Sequence, residues 1–543
     1  MAARAGVRHE PPEYEVAIIG AGAGGICAGV KLKDIGVTDI VIIDRAPEMG
    51  GTWLFNTYPG VGADLPAVAY QFSFARKHDW SRIFAKGKEI QDYHLDIARH
   101  AGLYQKVRLN TDIVKEEWDE ANHLWRLHVS DGTQITARFV ISAVGAYLRP
   151  KDAPAIAGLE RFGGEVMIPS RWNHDYDFTG KRVAIVGVGS STVQIAPALA
   201  PLAAQLDVYQ RTTQWYFPKP DMPMYWWMKL GLRIPGLAAA LHGVALAGVE
   251  VGLRGLVYMP NWLMRLGSWP VDSGARTLYR GWLRYKVRDP RVRAKLVPGY
   301  GPGCTRGTLG GDYLPIFNRP NVELVSDPIA RITEDAIVSA DGTERPVDTL
   351  VLATGYEVFS DPESYREDTV IGADGFDLGK FFNSEGLQAY HSTAIAGLPN
   401  RWMMVGPYSW TGTAFHYILE NAMRNINRAI DTARTRGATR TEVRLEAQQR
   451  FHRQVLRRGR NLAYYFSVHC AGSNTYFVNS HGDSPYVRPA SLLQSRREGM
   501  NYPLDDYTYE TLKDTDADSL APIRRRGNRS RKLSGLLRES ALP

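Results

Sequence analysis

Gly20 to Gly25, reading GAGAGG, stands between two short apolar runs and leaves few folds open. Glu15 to Ile19 reads as a strand, a helix-like stretch follows the glycines, and a second apolar run, Ile40 to Ile43, ends at Asp44. That order is a βαβ unit with the dinucleotide fingerprint in its first turn. Gly20 makes the tight turn, Gly22 lets the backbone approach a pyrophosphate, and Gly25 lets helix and strand pack closely. The N-terminus of the helix then faces the phosphates. Asp44, nineteen residues past Gly25, stands where an acid accepts from ribose hydroxyls.

A second copy begins at Lys181, KRVAIVGVGSSTVQIAPALA, with Gly187 and Gly189 in the first two glycine places, Thr192 in the third, and Ser190 and Ser191 opening the helix. An offset of twenty-four from the first glycine lands on Asp44 in the first unit and on Arg211 in the second. An acid there grips a free 2'-hydroxyl, whereas an arginine pairs bidentately with a 2'-phosphate. The first site therefore reads as an FAD site and the second as an NADPH site, with Gln210 and Thr212 beside Arg211 able to hydrogen-bond the phosphate. The fold class expected is α/β, with two Rossmann-like dinucleotide-binding domains.

A length of 543 residues exceeds what one hydrophobic core usually serves. The net charge of +8 needs locating before it is read as nucleic-acid binding, and residues 522 to 543 hold seven basic residues against one acid. Six of the eight charges thus belong to a tail read as disordered, and no nucleic-acid partner is expected. Cys27, Cys304 and Cys470 are far apart along the chain, so no CxxC pair and no zinc cluster can be written from them, and a reducing, cytoplasmic setting is the default. No metal site is expected. The N-terminus lacks the apolar core of a signal peptide.

Trp215 to Pro298 is rich in Trp, Leu, Gly and Arg and reads as a helical insertion forming a lid or a substrate chamber. Within it, Ile234 to Leu253 has nearly the length of a membrane span but contains Pro235, His242, four glycines and Glu250. A buried helix is the expectation there; a helix resting on a membrane surface is the second reading, and peripheral membrane contact is not the expected one. Tyr225, Trp226 and Trp227 are expected to be core. Strand-like runs return at VELV, IARI, AIVSA and TLVLA, and the chain crosses back after Ala353. The expected division is an FAD-binding domain over 1–149 and 353–510, an NADP-binding domain over 150–214 and 299–352, the insertion over 215–298, and the basic tail over 511–543.

Four blocks carry a resemblance. Gly50 to Asp64, GGTWLFNTYPGVGAD; Phe162 to Asn173, FGGEVMIPSRWN; Cys304 to Val325, CTRGTLGGDYLPIFNRPNVELV; and Val351 to Phe359, VLATGYEVF, are similar to the motifs of class B flavoprotein monooxygenases. The chain most resembles the type I Baeyer-Villiger monooxygenases, from about Tyr14 to about Pro489. The resemblance implies NADPH-driven insertion of one oxygen atom of O2 next to a ketone carbonyl by way of a C4a-peroxyflavin. It maps the active-site arginine onto Arg306, oriented by Asp64, and places Gly51, Thr52, Trp53, Asp64 and Tyr70 at the flavin cofactor. A permanent cation suits a developing oxyanion in a dry site.

The departures are as specific. Ile168 stands where the family fingerprint has histidine, Asn173 where it has proline or aspartate, Thr305 where a lysine precedes the arginine, and Thr475 where a tryptophan is expected. His174 does not restore the register. Two other readings stay open at this point: oxygenation of nitrogen or sulfur, and an uncoupled NADPH oxidase or ligand-binding sensor. The partner expected is a lipophilic ketone together with O2; the oligomeric state is not fixed by sequence. His416 and Glu420 have i, i+4 spacing but no further ligand, so a packed or solvated helix face is expected rather than a metal pair.

Overall fold

In the computed structural model, which describes residues 9–151, 154–410 and 415–512, the strand Tyr14–Ile19 pairs in parallel with Ile40–Ile43 on one side and Gln134–Ser142 on the other. Val16, Ala17 and Ile18 are fully buried. Such continuously apolar strands are needed because both faces of a parallel sheet are covered. Outward from this centre lie Val107–Arg108 on one flank and the antiparallel strands Ile113–Asp119 and Leu124–Val129 on the other. Val370–Ile371 and Arg401–Met403 join the same eight-stranded sheet much later in the chain. Arg401 and Glu116, both buried, clamp that late strand in place by two contacts of 2.7 and 2.9 Å.

The second sheet is wholly parallel, in the order Val322–Val325, Gln205–Tyr209, Arg182–Val186, Thr349–Leu352, Glu165–Met167. Its strands lie in the chain between the two contributions to the first sheet. Where the chain passes between them, Tyr147–Pro150 and Tyr356–Val358 pair antiparallel. The four strand runs read from sequence after Arg319 are all present, and Ile329–Ile332 and Ala336–Ser339 form a separate antiparallel sheet with Glu344–Pro346.

The insertion is helical, as read, over Trp226–Leu232, Leu237–Tyr258, Asn261–Lys286 and Pro290–Lys295. The expectation that the apolar run is a buried helix is overturned. Leu241, Val244, Val251 and Tyr258 face solvent, because the helix lays one side on Leu445–His469 and no described residues cover the other. Tyr225, Trp226 and Trp227 are likewise exposed rather than core. Among the described residues no helix is long and apolar enough to cross a membrane.

His416 opens the helix Phe415–Thr435 inside the main core and shares a 2.8 Å Nε2–Nε2 hydrogen bond with His94. Glu420 accepts from the backbone N–H and the hydroxyl of Ser73. Burial pushes the His94 imidazole down to about 3, and His416 well below the usual range. Both are neutral when folded and protonate near 6.5 when unfolded. The stability they leave intact above pH 6.5 is therefore lost as pH falls toward 3, by up to about 1.4 kcal/mol per histidine per pH unit. The melting temperature is expected to fall continuously from pH 7 to pH 5, and less steeply in His416→Asn. A melting temperature that is flat over that window would contradict the buried neutral pair.

Candidate active site

The first glycine turn is closed by backbone contacts that leave no room for side chains. A Cβ on Gly20, whose φ is +110°, would lie 2.6 Å from the Ala143 carbonyl oxygen, and one on Gly25 would lie 1.9 Å from that of Gly20. Gly22 precedes the helix Ala23–Leu32. The Asp44 carboxylate accepts from the Ala21 N–H at 2.6 Å and the Ala46 N–H at 2.9 Å, which holds it at the mouth of the turn. Gly50 donates to the Ala21 carbonyl at 3.1 Å, and a Cβ on Gly51 would come within 2.9 Å of the Gly22 Cα. The GG of the Gly50 to Asp64 segment is thus pressed against the fingerprint turn. Thr52 begins the short helix Thr52–Phe55, and Trp53 donates its indole N–H to the Tyr70 hydroxyl at 3.3 Å.

The second turn repeats the plan. A Cβ on Gly187, φ +114°, would sit 2.5 Å from the Ala353 carbonyl oxygen, whereas one on Gly189 would meet nothing within 4 Å. Gly189 precedes the helix Ser190–Leu199, so the backbone at that helix end is open on the side its Cβ would occupy, as the approach of a pyrophosphate requires. Thr192, in the third glycine place, turns its hydroxyl to the Gly187 carbonyl at 2.9 Å. Arg211 is exposed and Thr212 half-buried just beyond the strand Gln205–Tyr209. Gln210 does not stand with them: its amide donates to the Lys295 carbonyl at 2.8 Å, which turns it toward the end of the helix Pro290–Lys295.

Asp64 and Arg306, 242 residues apart, meet through a 2.8 Å hydrogen bond. The Arg306 guanidinium also lies 5.3 Å over the Trp410 ring. Burial opposes its charge, but the Asp64 carboxylate more than offsets this and holds the group above its ordinary range. The two side chains keep 28% and 27% exposure, so the pair remains reachable by a ligand. Tyr70 lies near enough to sense both charges, and burial raises its phenol. Among the described contacts none joins Arg211 to this cluster.

Three features were not legible in the sequence. Gln194, on the helix of the second turn, hydrogen-bonds both the N–H and the carbonyl of Gly62, at 3.3 and 3.1 Å, and receives the Tyr58 hydroxyl at 3.2 Å. It ties the Gly50 to Asp64 segment to the second nucleotide unit, and nothing in its spacing marks it. Lys219 donates to the Ala63 carbonyl at 2.9 Å, one residue from Asp64. Burial, then the charge of Lys86, pushes its ammonium down.

The third joins two cysteines that share no CxxC spacing. Cys304 and Cys470 form a disulfide, their Cα atoms 5.2 Å apart. They meet because the loop before Arg306 runs along the C-terminal end of the helix Leu445–His469, where Gly301 donates to the His469 carbonyl at 3.0 Å. Only Cys27 is free, and it is buried. The far side of the loop is fixed by Thr308–Leu309, paired with Tyr216–Phe217.

The fingerprint residues pack on the same segment. Trp172 meets Tyr58 edge-on, with 6.4 Å between ring centroids, and stacks on Phe178. His174 shares a 2.8 Å hydrogen bond with Thr57, and Asn173 donates to Glu165 at 3.1 Å. Ile168 is half-buried in a turn, its carbonyl accepting from the Arg171 N–H at 2.9 Å. Thr305 is buried.

Residues 17–229 match the family described as pyridine nucleotide-disulphide oxidoreductase. The chain is 25% identical to OTEMO, whose crystal structure is a complex with FAD and NADP; the two superpose with a TM-score of 0.80 over 92% of this chain and 100% of that one. Oxidized steroid monooxygenase bound to NADP gives 0.77 at 26% identity over 92% and 99%. A Baeyer-Villiger monooxygenase of Streptomyces coelicolor is 32% identical across 91% of this chain and 92% of its own length. With that identity extending over nine-tenths of both chains, the chain belongs to the Baeyer-Villiger monooxygenases.

Proposed function

We propose that the protein binds FAD at the Gly20 to Gly25 turn and NADPH at the Gly187 to Ser191 turn, and uses O2 to convert a lipophilic ketone to an ester or lactone. Asp44, Gly51, Thr52, Trp53, Asp64 and Tyr70 would hold the flavin cofactor; Gly187, Gly189, Ser190, Ser191, Arg211 and Thr212 would hold the nicotinamide cofactor. When bound, these groups supply the hydride transfer and oxygen activation. The two sheets correspond on this reading to an FAD domain in two chain segments and an NADP domain inserted between them.

The observation that carries the reading is the Asp64–Arg306 pair, at the end of the segment that runs from the first turn to the helix of the second. Attack on a ketone carbonyl places negative charge on its oxygen. Arg306 has N–H groups beyond the one given to Asp64 and stays protonated throughout, so it can donate to that oxygen without moving a proton. Asp64 fixes its orientation, and the Trp410 ring closes one face of the guanidinium to water.

For the ketone class, support comes from the similarity to a steroid monooxygenase and from Thr475 in place of an indole. The test is a homologous ketone series with NADPH and 18O2, products identified by mass. One labelled oxygen per ester and an efficiency that rises with ketone size are expected. Hydrogen peroxide as the only product with every ketone would remove the proposed reaction, and efficiency that falls with size would remove the ketone class.

Nucleotide choice rests on Arg211, since Thr305 supplies no charge. Arg211→Ala is expected to raise the Michaelis constant for NADPH about thirty-fold, on the order of 2 kcal/mol, and to leave NADH nearly untouched. Equal effects on the two would move the 2'-phosphate contact elsewhere.

A further inference from the structure

The helices of the insertion place apolar side chains where water is. Among the described residues, seventeen of the twenty-seven large apolar side chains that stand exposed lie between Met222 and Tyr285. Trp226, Trp227, Trp262 and Trp269 are 76%, 58%, 64% and 60% exposed. Those indoles alone present roughly 500 Å2 to water, as much as the largest apolar patch of an ordinary monomer.

The pattern is that of a face. On Leu237–Tyr258, Leu241, Val244, Val251 and Tyr258 recur at intervals of three and seven, which draws one line along the helix. On Asn261–Lys286, Trp262, Leu266 and Trp269 do the same at four and three. The adjoining side of that helix is pinned inward, and Trp269 itself rests against the His469 ring, 4.7 Å between centroids. Asp272 pairs with His469 at 2.7 Å and accepts from the Tyr465 hydroxyl at 2.8 Å, and Ser268 shares a 2.9 Å hydrogen bond with His469. The helix cannot roll its indoles under cover.

Charge identifies the occupant. Residues 225–295 contain twelve Lys and Arg against three Asp and Glu. Of the acids, Asp272 is turned inward and Asp289 caps the helix Pro290–Lys295. Arg233, Arg254, Arg280 and Arg284 are exposed on or beside the same helices as the indoles. We propose that this face docks the enzyme on the surface of a bilayer containing anionic phospholipid, the tryptophans and aliphatic side chains at the acyl boundary and the arginines among the headgroups. Trp and aliphatic side chains along one line of a helix, with arginines on its polar side, are the signature of an interfacial helix. No described helix can span, so the contact lies on the surface. A second copy of the chain fits poorly, because a two-fold interface would set the same cationic face against itself.

The test uses the full-length holoenzyme at 0.15 M salt with vesicles of phosphatidylcholine alone or with about 30 mol% phosphatidylglycerol, which supplies the anionic surface. Co-sedimentation is expected with the anionic vesicles, and acyl-brominated lipid in them is expected to quench tryptophan fluorescence. Residues 513–543 contain no tryptophan, so quenching reports the helices and not the basic tail. The variant W226S/W227S/W262S is expected to lose about tenfold in vesicle binding and most of the quenching while keeping its FAD content and melting temperature. Sedimentation without quenching would assign the contact to the tail. A concentration-dependent dimer abolished in the variant would assign the face to a second copy. Binding equal in the wild type and the variant, or no binding at all, would equally overturn the proposal. None of these readouts involves a ketone, so failure of the proposed reaction leaves them unchanged.

Discussion

Arg306→Ala is expected to lower ester or lactone formation by about a hundred- to a thousand-fold, the loss that follows removal of one preorganised oxyanion donor. NADPH oxidation should persist, because among the described residues no contact joins Arg306 to the Gly187 turn and the change leaves both glycine turns intact. The ratio of product formed to NADPH consumed is therefore the quantity to measure. Arg306→Lys keeps the charge and reaches Asp64 less well, since an ammonium cannot bond Asp64 and a substrate oxygen as a rigid fork does. It should recover only part of the loss. Asp64→Asn should fall between the two, as it keeps the length of the hydrogen-bond partner but removes the charge that steadies Arg306. Product formation within threefold of the wild type in Arg306→Ala, an effect of less than about 1 kcal/mol, would mean that another group meets the oxyanion. Lys219, one residue along from Asp64 through the Ala63 carbonyl, would be the next to remove.

Gly25→Ala is expected to disrupt the first glycine turn. Its Cβ would sit 1.9 Å from the Gly20 carbonyl oxygen, and Gly20 cannot retreat because its own α-carbon already faces the Ala143 carbonyl. Overpacking against backbone on two sides should cost about 3 kcal/mol or more and leave the protein colourless or insoluble. Gly189→Ala is the control. With nothing within 4 Å of the added methyl, it should fold with an unchanged melting temperature and lose only nucleotide affinity. A yellow, stable Gly25→Ala protein would show that the turn opens more easily than its contacts indicate.

The parts of this fold that were legible in the sequence are those where backbone geometry dictates residue type. A turn with positive φ under a carbonyl accepts only glycine, so Gly20 and Gly187 announce themselves, and the strands beside them must be apolar on both faces. The parts that were not legible rest on contacts between distant segments. Gln194 reads as one polar residue among many on a helix, and only the fold turns its amide onto Gly62. Cys304 and Cys470 have no spacing rule to link them, and the helix that carries Cys470 is aimed by its packing. The outward face of the insertion misled because apolar sequence alone does not say which side is covered. Trp226 and Trp227 look like core by composition and are on the surface by topology.

The bond between Cys304 and Cys470 gives the enzyme a covalent history. Arg306 is two residues from one of its sulfurs, so the thiol reductants customary in purification act on the loop that presents it. Both cysteines are nearly inaccessible, at 0% and 6%, and exchange at such sulfurs waits for the loop to open. The order in which a sample met air and reductant, more than its final buffer, will then set which covalent form is assayed. Rates measured on two preparations are comparable once free thiols have been counted in each.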